Sequence, residues 1–159
     1  MTIKEQAAKM KLDSSKMSAT TLDDRNKALK SIAEAILNNK EVIIKANEAD
    51  LLKAKEDGLL APVLKRLKFN EEKINDVVNG INDLISLPDP LGKVQMKREL
   101  DSDLLMIRET CPIGVIGVIF ESRPDAMVQI STLCVKSGNC AILKGGSEAM
   151  NTNREVFNI

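Results

Sequence analysis

The chain has 159 residues, of which 43% are hydrophobic and 29% are charged, and its 23 basic residues balance its 23 acidic residues. A chain of this length can bury the hydrophobic core of about one domain. Because the sequence contains no histidine, it excludes a Ser-His-Asp triad, a Cys-His dyad and a histidine metal site within this segment.

The charges are also balanced locally, with 15 basic and 15 acidic residues in 1–92 and 8 of each in 93–159. We therefore expect neither a nucleic-acid partner nor a membrane. The three cysteines, Cys111, Cys134 and Cys140, lack C-x-x-C spacing, so we expect no disulfide framework and no metal. The N-terminus mixes charges, and no apolar run approaches about 18 residues. These features predict a soluble protein of the reducing cytoplasm.

Apolar residues recur at three- and four-residue intervals throughout residues 1–87, which predicts about four helices. Thr21, three residues before Asp24, is typical of a capping-box start, and Gly58 follows a helical run as a C-terminal cap. Asn70 is expected to open a further helix. Residues 1–87 are therefore predicted to form a helical N-terminal segment.

The helical pattern breaks at residues 88–92, Pro-Asp-Pro-Leu-Gly, because two prolines and a glycine cannot continue a helix. Residues 93–98 and 103–110 then alternate like two half-buried strands joined around Asp101 and Ser102. We predict that residues 88–111 form a linker and hairpin-like strands.

A continuous apolar run at 113–120 predicts a strand that is buried on both faces of a parallel sheet. A helix is expected to begin at Pro124. Its apolar face is predicted to carry Met127, Ile130, Leu133 and Cys134. Further along the chain we expect a helix end at 136–138, a second buried strand at 140–143, a tight turn at 144–147 and a helix at 148–158. This order of strand, helix, strand and helix predicts that residues 112–159 begin a doubly wound α/β domain.

Ligands gather at the carboxyl ends of parallel strands, and two candidate segments follow the predicted strands. The second consists of Lys144, Gly145, Gly146, Ser147 and Glu148. Glycine lets the backbone approach a ligand, Ser147 can cap the next helix, and free amides at a helix N-terminus attract phosphate. Lys144 adds a positive charge. The alternative interpretation is ordinary turn chemistry without a ligand.

The first segment is Glu-Ser-Arg-Pro at 121–124. Arg123 is a candidate clamp for a carboxylate or phosphate, because guanidinium can bind such groups bidentately. The alternative is a surface ion pair with Glu121 or Asp125. The cysteines are expected to behave as small hydrophobic side chains, since none has an evident activating base.

Three stretches carry a resemblance to a known family. They are P-I-G-V-I-G-V-I-F-E-S-R-P-D-A at 112–126, K-S-G-N at 136–139, and I-L-K-G-G-S-E-A at 142–149 with N-T-N at 151–153. The sequence resembles the gamma-glutamyl phosphate reductase, or glutamate-5-semialdehyde dehydrogenase, family of the aldehyde dehydrogenase superfamily, along essentially its whole length. The fold that this implies is α/β: a helical layer followed by the beginning of a Rossmann-like parallel sheet of the aldehyde dehydrogenase fold.

The resemblance implies NADPH-dependent reduction of L-glutamyl 5-phosphate to L-glutamate 5-semialdehyde with release of phosphate, in proline biosynthesis. In such enzymes a cysteine thiolate attacks the acyl phosphate, and hydride from the NADP cofactor reduces the thioester. That cysteine lies downstream, in sequence that resembles nothing in this chain. We therefore expect an N-terminal part of a longer, homo-oligomeric enzyme, inactive alone and without the catalytic cysteine domain.

Residue by residue, the resemblance implies that Lys144 reaches the adenosine ribose and its 2′-phosphate, with 145–148 completing the turn. Ser122 stands where ordinary aldehyde dehydrogenases have the Asn of Pro-Trp-Asn, which makes it a candidate oxyanion donor. Arg123 is expected to hold the anionic substrate. Two alternatives stay open: a non-catalytic nucleotide-binding module or remnant, and another member of the superfamily, against which Phe-Glu-Ser-Arg-Pro argues.

Overall fold

The computed structural model describes residues 2–159, which form helices, an antiparallel ribbon and a small parallel sheet. In chain order the elements are α1 (Ile3–Ser18), α2 (Leu22–Asn38), α3 (Lys40–Glu56), α4 (Ala61–Leu67), α5 (Glu71–Ser86), β1 (Val94–Asp101), β2 (Leu104–Glu109), β3 (Val115–Ile119), α6 (Pro124–Lys136), β4 (Cys140–Lys144) and α7 (Met150–Asn158). The α/β fold class is confirmed. Among the helices of the described part, none combines the length and the apolar character needed to cross a membrane.

The helical segment has five helices where about four are predicted, since the short α4 forms between α3 and α5. The local start and stop signals are confirmed. Thr21 accepts a hydrogen bond from the Asp24 amide at 3.1 Å and completes a capping box. Gly58 follows α3 at a φ of +71°, and the Asn70 side chain accepts from the Lys73 amide at 3.3 Å at the start of α5.

The main core lies between α2, α3 and α5, and it extends onto α6. Its fully buried members include Leu29, Ile43, Phe69 and Ile74, and Val128 of α6 joins the same cluster. Each such side chain contributes about 1.5–3 kcal/mol through burial. The helical layer is thereby packed directly against the helix that connects the two parallel strands.

The ribbon formed by β1 and β2 is antiparallel, with Val94 paired to Glu109 and Asp101 to Leu104. The prediction of half-buried strands is wrong. Apart from the half-buried Met96, every residue of the two strands is exposed. The reason is that, within residues 2–159, no layer covers either face of the ribbon.

Strands β3 and β4 pair in parallel, from Val115 opposite Cys140 to Ile119 opposite Lys144. The prediction that both strands are buried is wrong: most of their residues are half-buried, because α1 and α6 cover the faces of this sheet only in part. Ile119 is 83% exposed. Leu133, predicted on the apolar face of α6, is 55% exposed.

Candidate functional site

The two candidate segments leave the same edge of the parallel sheet. Ile119 pairs with Lys144, and the Phe120 amide donates to the Lys144 carbonyl at 3.0 Å, so β3 and β4 end side by side. A Cβ atom added to Gly146 would lie 3.5 Å from the backbone nitrogen of Ser122. The loop after β3 and the turn after β4 are therefore in contact, as the rule for carboxyl ends of parallel strands predicts.

Close packing, not backbone conformation, favours glycine in the turn, more strictly at Gly145, beside the Phe120 ring, than at Gly146, whose closest neighbour is the flexible Glu148 side chain. A Cβ on Gly145 would overlap the Asn153 side chain and come within 3.1 Å of the Phe120 ring. A Cβ on Gly146 would overlap the carboxylate of Glu148. Since neither glycine has a positive φ, alanine at either position would displace neighbours without straining the backbone. The turn thus lies against the first residues of α7.

The N-terminus of α7 is capped by a side chain from α3. Asp50 Oδ1 accepts from the Asn151 backbone amide at 3.2 Å and from Asn151 Nδ2 at 2.8 Å. Asp50 Oδ2 accepts from the Thr152 amide at 2.8 Å and from Thr152 Oγ1 at 2.7 Å. The prediction that Ser147 caps this helix is wrong, because the cap position, Ala149, has no side-chain hydrogen bond and Asp50 supplies the acceptors.

This cap also changes where an anion could bind. The amides of Asn151 and Thr152 already face a carboxylate, so they are not free for a phosphate. What remains open is the exposed Lys144 side chain, beside two residues without a Cβ, and the exposed Ser147. Glycine allows the backbone to approach a ligand closely. Anion binding at this part of the turn therefore stays a prediction, with Lys144 and Ser147 as its exposed polar side chains.

Arg123 forms one of the two ion pairs that the sequence offered as alternatives, the pair with Asp125. Its guanidinium donates to Asp125 Oδ2 at 3.0 Å, and this hydrogen bond raises the pKa of Arg123. Glu121 pairs instead with Arg66 at 3.2 Å. The Arg123 side chain is still 50% exposed, so its remaining donors can contact a second anion, while Ser122 beside it is buried at 8% exposure.

The three cysteines lie outside this edge in different environments. Cys111 is exposed, Cys134 is buried and Cys140 is half-buried. Burial raises the pKa of both the Cys134 and Cys140 thiols, which lowers their thiolate fraction. In the described part of the chain, no three acidic or thiol side chains are grouped so that they could hold a metal ion.

Sequence reasoning missed the polar residues of α3 that face the site. Ile43, Asn47, Asp50 and Ala54 are all buried and follow one helical stripe. Two polar side chains on a buried stripe are the available signal, because a buried polar group needs a hydrogen-bond partner. That signal indicates that a buried hydrogen bond exists, but it does not identify the partner. For Asp50 the partner is Thr152, 102 residues further along the chain.

A parallel strand-helix-strand unit with contacting loops at its carboxyl edge defines a class: α/β proteins with a parallel sheet, in which that edge is the usual place for a ligand. No protein-family model matches the chain. Its sequence is 55% identical, over 100% of its length, to the gamma-glutamyl phosphate reductase of Acetivibrio thermocellus, and 54% identical over the same extent to that of Ruminiclostridium cellulolyticum. The chain spans 37% of the length of each of these relatives.

Solved structures give the same result. The crystal structure of gamma-glutamyl phosphate reductase from Saccharomyces cerevisiae matches 98% of the chain with a TM-score of 0.92 at 43% identity, and the chain covers 40% of it. The structure from Thermotoga maritima matches 97% with a TM-score of 0.92 at 35% identity, and the chain covers 37% of it. The resemblance is confirmed: in sequence and fold the chain resembles the N-terminal part of gamma-glutamyl phosphate reductases.

Proposed function

We propose that this chain forms part of an enzyme that reduces L-glutamyl 5-phosphate to L-glutamate 5-semialdehyde with NADPH and releases phosphate, in cytoplasmic proline biosynthesis. The observation that carries the proposal is the similarity to gamma-glutamyl phosphate reductases over the whole chain. Because the chain spans 37% of those relatives, we further propose that it is inactive alone and that the nucleophilic cysteine belongs to the remaining part.

On the nucleotide side, Lys144 is proposed to contact the adenosine ribose and its 2′-phosphate. The support is its exposed ammonium group beside Gly145 and Gly146 at the end of β4. Ser147 and Glu148 complete this surface. NADPH, when bound, would supply the hydride that reduces the acyl group. The residues of this chain would bind and orient it.

On the substrate side, Ser122 and Arg123 have separate proposed roles. The Ser122 hydroxyl would donate to the oxyanion that develops on the carbonyl oxygen under attack. Arg123 would bind an anionic group of the substrate with the donors that its pair with Asp125 leaves unused, in keeping with its half-exposed side chain.

We also propose that the complete enzyme is a homo-oligomer and that the ribbon of β1 and β2 contributes to its interface. In support, the ribbon exposes a group of large apolar side chains, which are Val94, Leu100, Leu104, Leu105, Met106 and Ile107. Because successive side chains of a strand point to opposite faces, both faces of the ribbon present exposed apolar side chains, and exposed apolar patches mark interaction sites.

The proposal is tested with an intact enzyme of the relatives' length that carries this chain. Glutamate 5-semialdehyde, phosphate and NADP⁺ are converted to glutamyl phosphate, NADPH and a proton, and NADPH formation is followed by absorbance. Lys144→Ala should raise KM for NADP⁺ by about tenfold to a hundredfold, because a hydrogen bond to a charged group contributes about 1.5–3 kcal/mol. Lys30→Ala is the matched control, since Lys30 is 74% exposed on α2.

Arg123→Ala should raise KM for the semialdehyde, and Ser122→Ala should lower kcat. Absence of phosphate-dependent NADP⁺ reduction by the intact enzyme would contradict the proposed activity. Turnover by the 159-residue chain would contradict its proposed inactivity. Calorimetric titration with NADPH covers the alternative of a non-catalytic module, which would bind the nucleotide without any turnover in the intact enzyme.

A further inference from the structure

We propose that Asp50 is a positioning residue that holds the turn at 144–148 in place for the nucleotide. This inference rests on the proposed function, since it concerns the same turn. Asp50 lies on α3, in the helical segment, and is 3% exposed. Asp50 forms no hydrogen bond with the residues that are proposed to contact the nucleotide. Its hydrogen bonds go to Asn151 and Thr152 of α7, the helix that follows those residues.

The network around Asp50 is largely buried: Asn47, Asp50 and Thr152 are at most 3% exposed, whereas Asn151 lies at the surface. The two Asp50 oxygens accept four hydrogen bonds from Asn151 and Thr152, at 2.7–3.2 Å. One turn earlier, Asn47 Nδ2 donates to Thr152 Oγ1 at 3.2 Å, and Asn47 Oδ1 accepts from the Phe69 amide at 2.7 Å. The first turn of α7 is thereby tied to the core of the helical layer at two successive turns of α3.

The same region of α3 also faces the turn itself. A small cavity of about 80 Å³ separates them. Its lining consists of Asp50, Lys53, Ala54, Asp57, Leu59, Ser147 and Glu148. On the other side, Asn153 of α7 packs against Gly145. A shift of the start of α7 would therefore move the turn at both Gly145 and Ser147, which is how Asp50 can control their position without a hydrogen bond to either.

Only a carboxylate satisfies all four donors in this place. Asp50→Asn keeps the size of the side chain, but one oxygen becomes an NH₂ group that faces two donors from Asn151 or from Thr152. The Thr152 hydroxyl or the Asn151 side-chain amide can turn to accept from that group, but the backbone N–H beside it cannot. At least one hydrogen bond is therefore replaced by a repulsive donor–donor contact, and an unpaired buried donor is costly. The start of α7 has no local cap that could replace them.

The intact enzyme described above is used for the test. Asp50→Asn should raise KM for NADP⁺ about tenfold, because a small misplacement of a positioned group is sufficient for such a loss. KM for the semialdehyde and kcat at saturating NADP⁺ should change by less than about twofold. Thr152→Val removes the hydroxyl that donates to Asp50 and accepts from Asn47, and it should raise KM for NADP⁺ by a smaller factor. Thr152→Ser keeps this hydroxyl and should have the wild-type KM.

Asn139→Ala is the matched control for lost stability. Asn139 is also buried, and its side chain holds Gly114 and Ser137 by three hydrogen bonds at the amino ends of β3 and β4, at the far end of the sheet from the turn. It should lower the thermal midpoint without changing KM for NADP⁺. A purely structural role for Asp50 would give the same result as this control and would overturn the proposal.

A second readout does not depend on activity. Amide hydrogen exchange should accelerate at residues 145–149 in Asp50→Asn and in Thr152→Val, but not in Asn139→Ala. If the wild-type enzyme shows no phosphate-dependent NADP⁺ reduction, the proposed function fails, and exchange at 145–149 alone decides whether Asp50 positions the turn. Unchanged exchange at 145–149 in both Asp50→Asn and Thr152→Val would overturn the positioning role.

Discussion

Gly138→Ala tests how the linker packs on the end of α6. Helices α3 and α6 end in the same way, because the amide after each terminal glycine bonds to a carbonyl five residues earlier: Leu59 to Ala54, and Asn139 to Cys134. Gly58 and Gly138 occupy equivalent positions, with φ values of +71° and +67°. The two positions therefore form a matched pair with the same backbone requirement.

The surroundings of the two glycines differ. A Cβ on Gly58 meets nothing within 4 Å, whereas a Cβ on Gly138 would lie 2.9 Å from Leu91 Cδ1 and 3.1 Å from Pro112 Cγ. Alanine at a positive φ costs about 1–2 kcal/mol at either position. Overpacking adds about 1–3 kcal/mol at Gly138 alone. We therefore expect Gly58→Ala to cost about 1–2 kcal/mol and Gly138→Ala about 2–5 kcal/mol.

The free energy of unfolding is measured by urea titration of the 159-residue chain and its two variants, with a shared slope. The difference between the variants isolates the contact of the linker with the end of α6, since the backbone term cancels. Equal losses in the two variants would refute this reasoning. A second check is Leu91→Ala in the Gly138→Ala background, which should cost less than Leu91→Ala in the wild type, because removing Cδ1 relieves the overlap.

Two further predictions concern the thiols and a helix cap. In the native chain Cys111 should react first with a thiol reagent, the half-buried Cys140 more slowly and the buried Cys134 last, because burial raises the pKa of both of these thiols; prompt labelling of Cys134 would contradict this. Thr21→Ala should cost about 1 kcal/mol at pH 7 as a lost N-cap. The Thr21 hydroxyl holds the pKa of Asp24 below its ordinary value of 3.8. The part of the stabilisation that depends on the Asp24 carboxylate is therefore present above pH 3.8 and is lost as the pH falls through the lower, folded value. The stability gap between variant and wild type should therefore narrow in acid.

Local signals predicted the features of this fold that depend on neighbouring residues. The capping box at Thr21 and the helix end at Gly58 each need only contacts within three to five positions. The contact between the loop after β3 and the turn after β4 followed from the geometry of parallel strands. The burial of individual side chains, such as that of Leu133, could not be predicted from the sequence. The apolar stripe of a helix shows which face is buried, but the width of the buried area depends on the elements that pack against it.

The cap of α7 could not be predicted for a related reason. A glycine-rich turn before a helix normally predicts free amides for an anion, and Ser147 stood at the expected cap position. The acceptor instead comes from Asp50, about a hundred residues earlier in the chain. A polar residue on the apolar stripe of α3 indicates that a buried partner exists, but only the packing of α3 on α7 identifies it.

Asp50 is one of three charged side chains that fix helix ends across the layers. Arg25 of α2 donates to the Lys136 carbonyl at the end of α6 at 2.8 Å, and the Lys136 ammonium donates to the Ile85 and Leu87 carbonyls at the end of α5. Cations thus stand at two helix C-termini and a carboxylate at the N-terminus of α7, each with the sign that the helix dipole favours. Apolar packing tolerates small sliding between layers, whereas these directional bonds do not. The helical layer therefore fixes α6 and α7, the helices that follow β3 and β4. The loops that connect each strand to its helix are held in position by the same bonds.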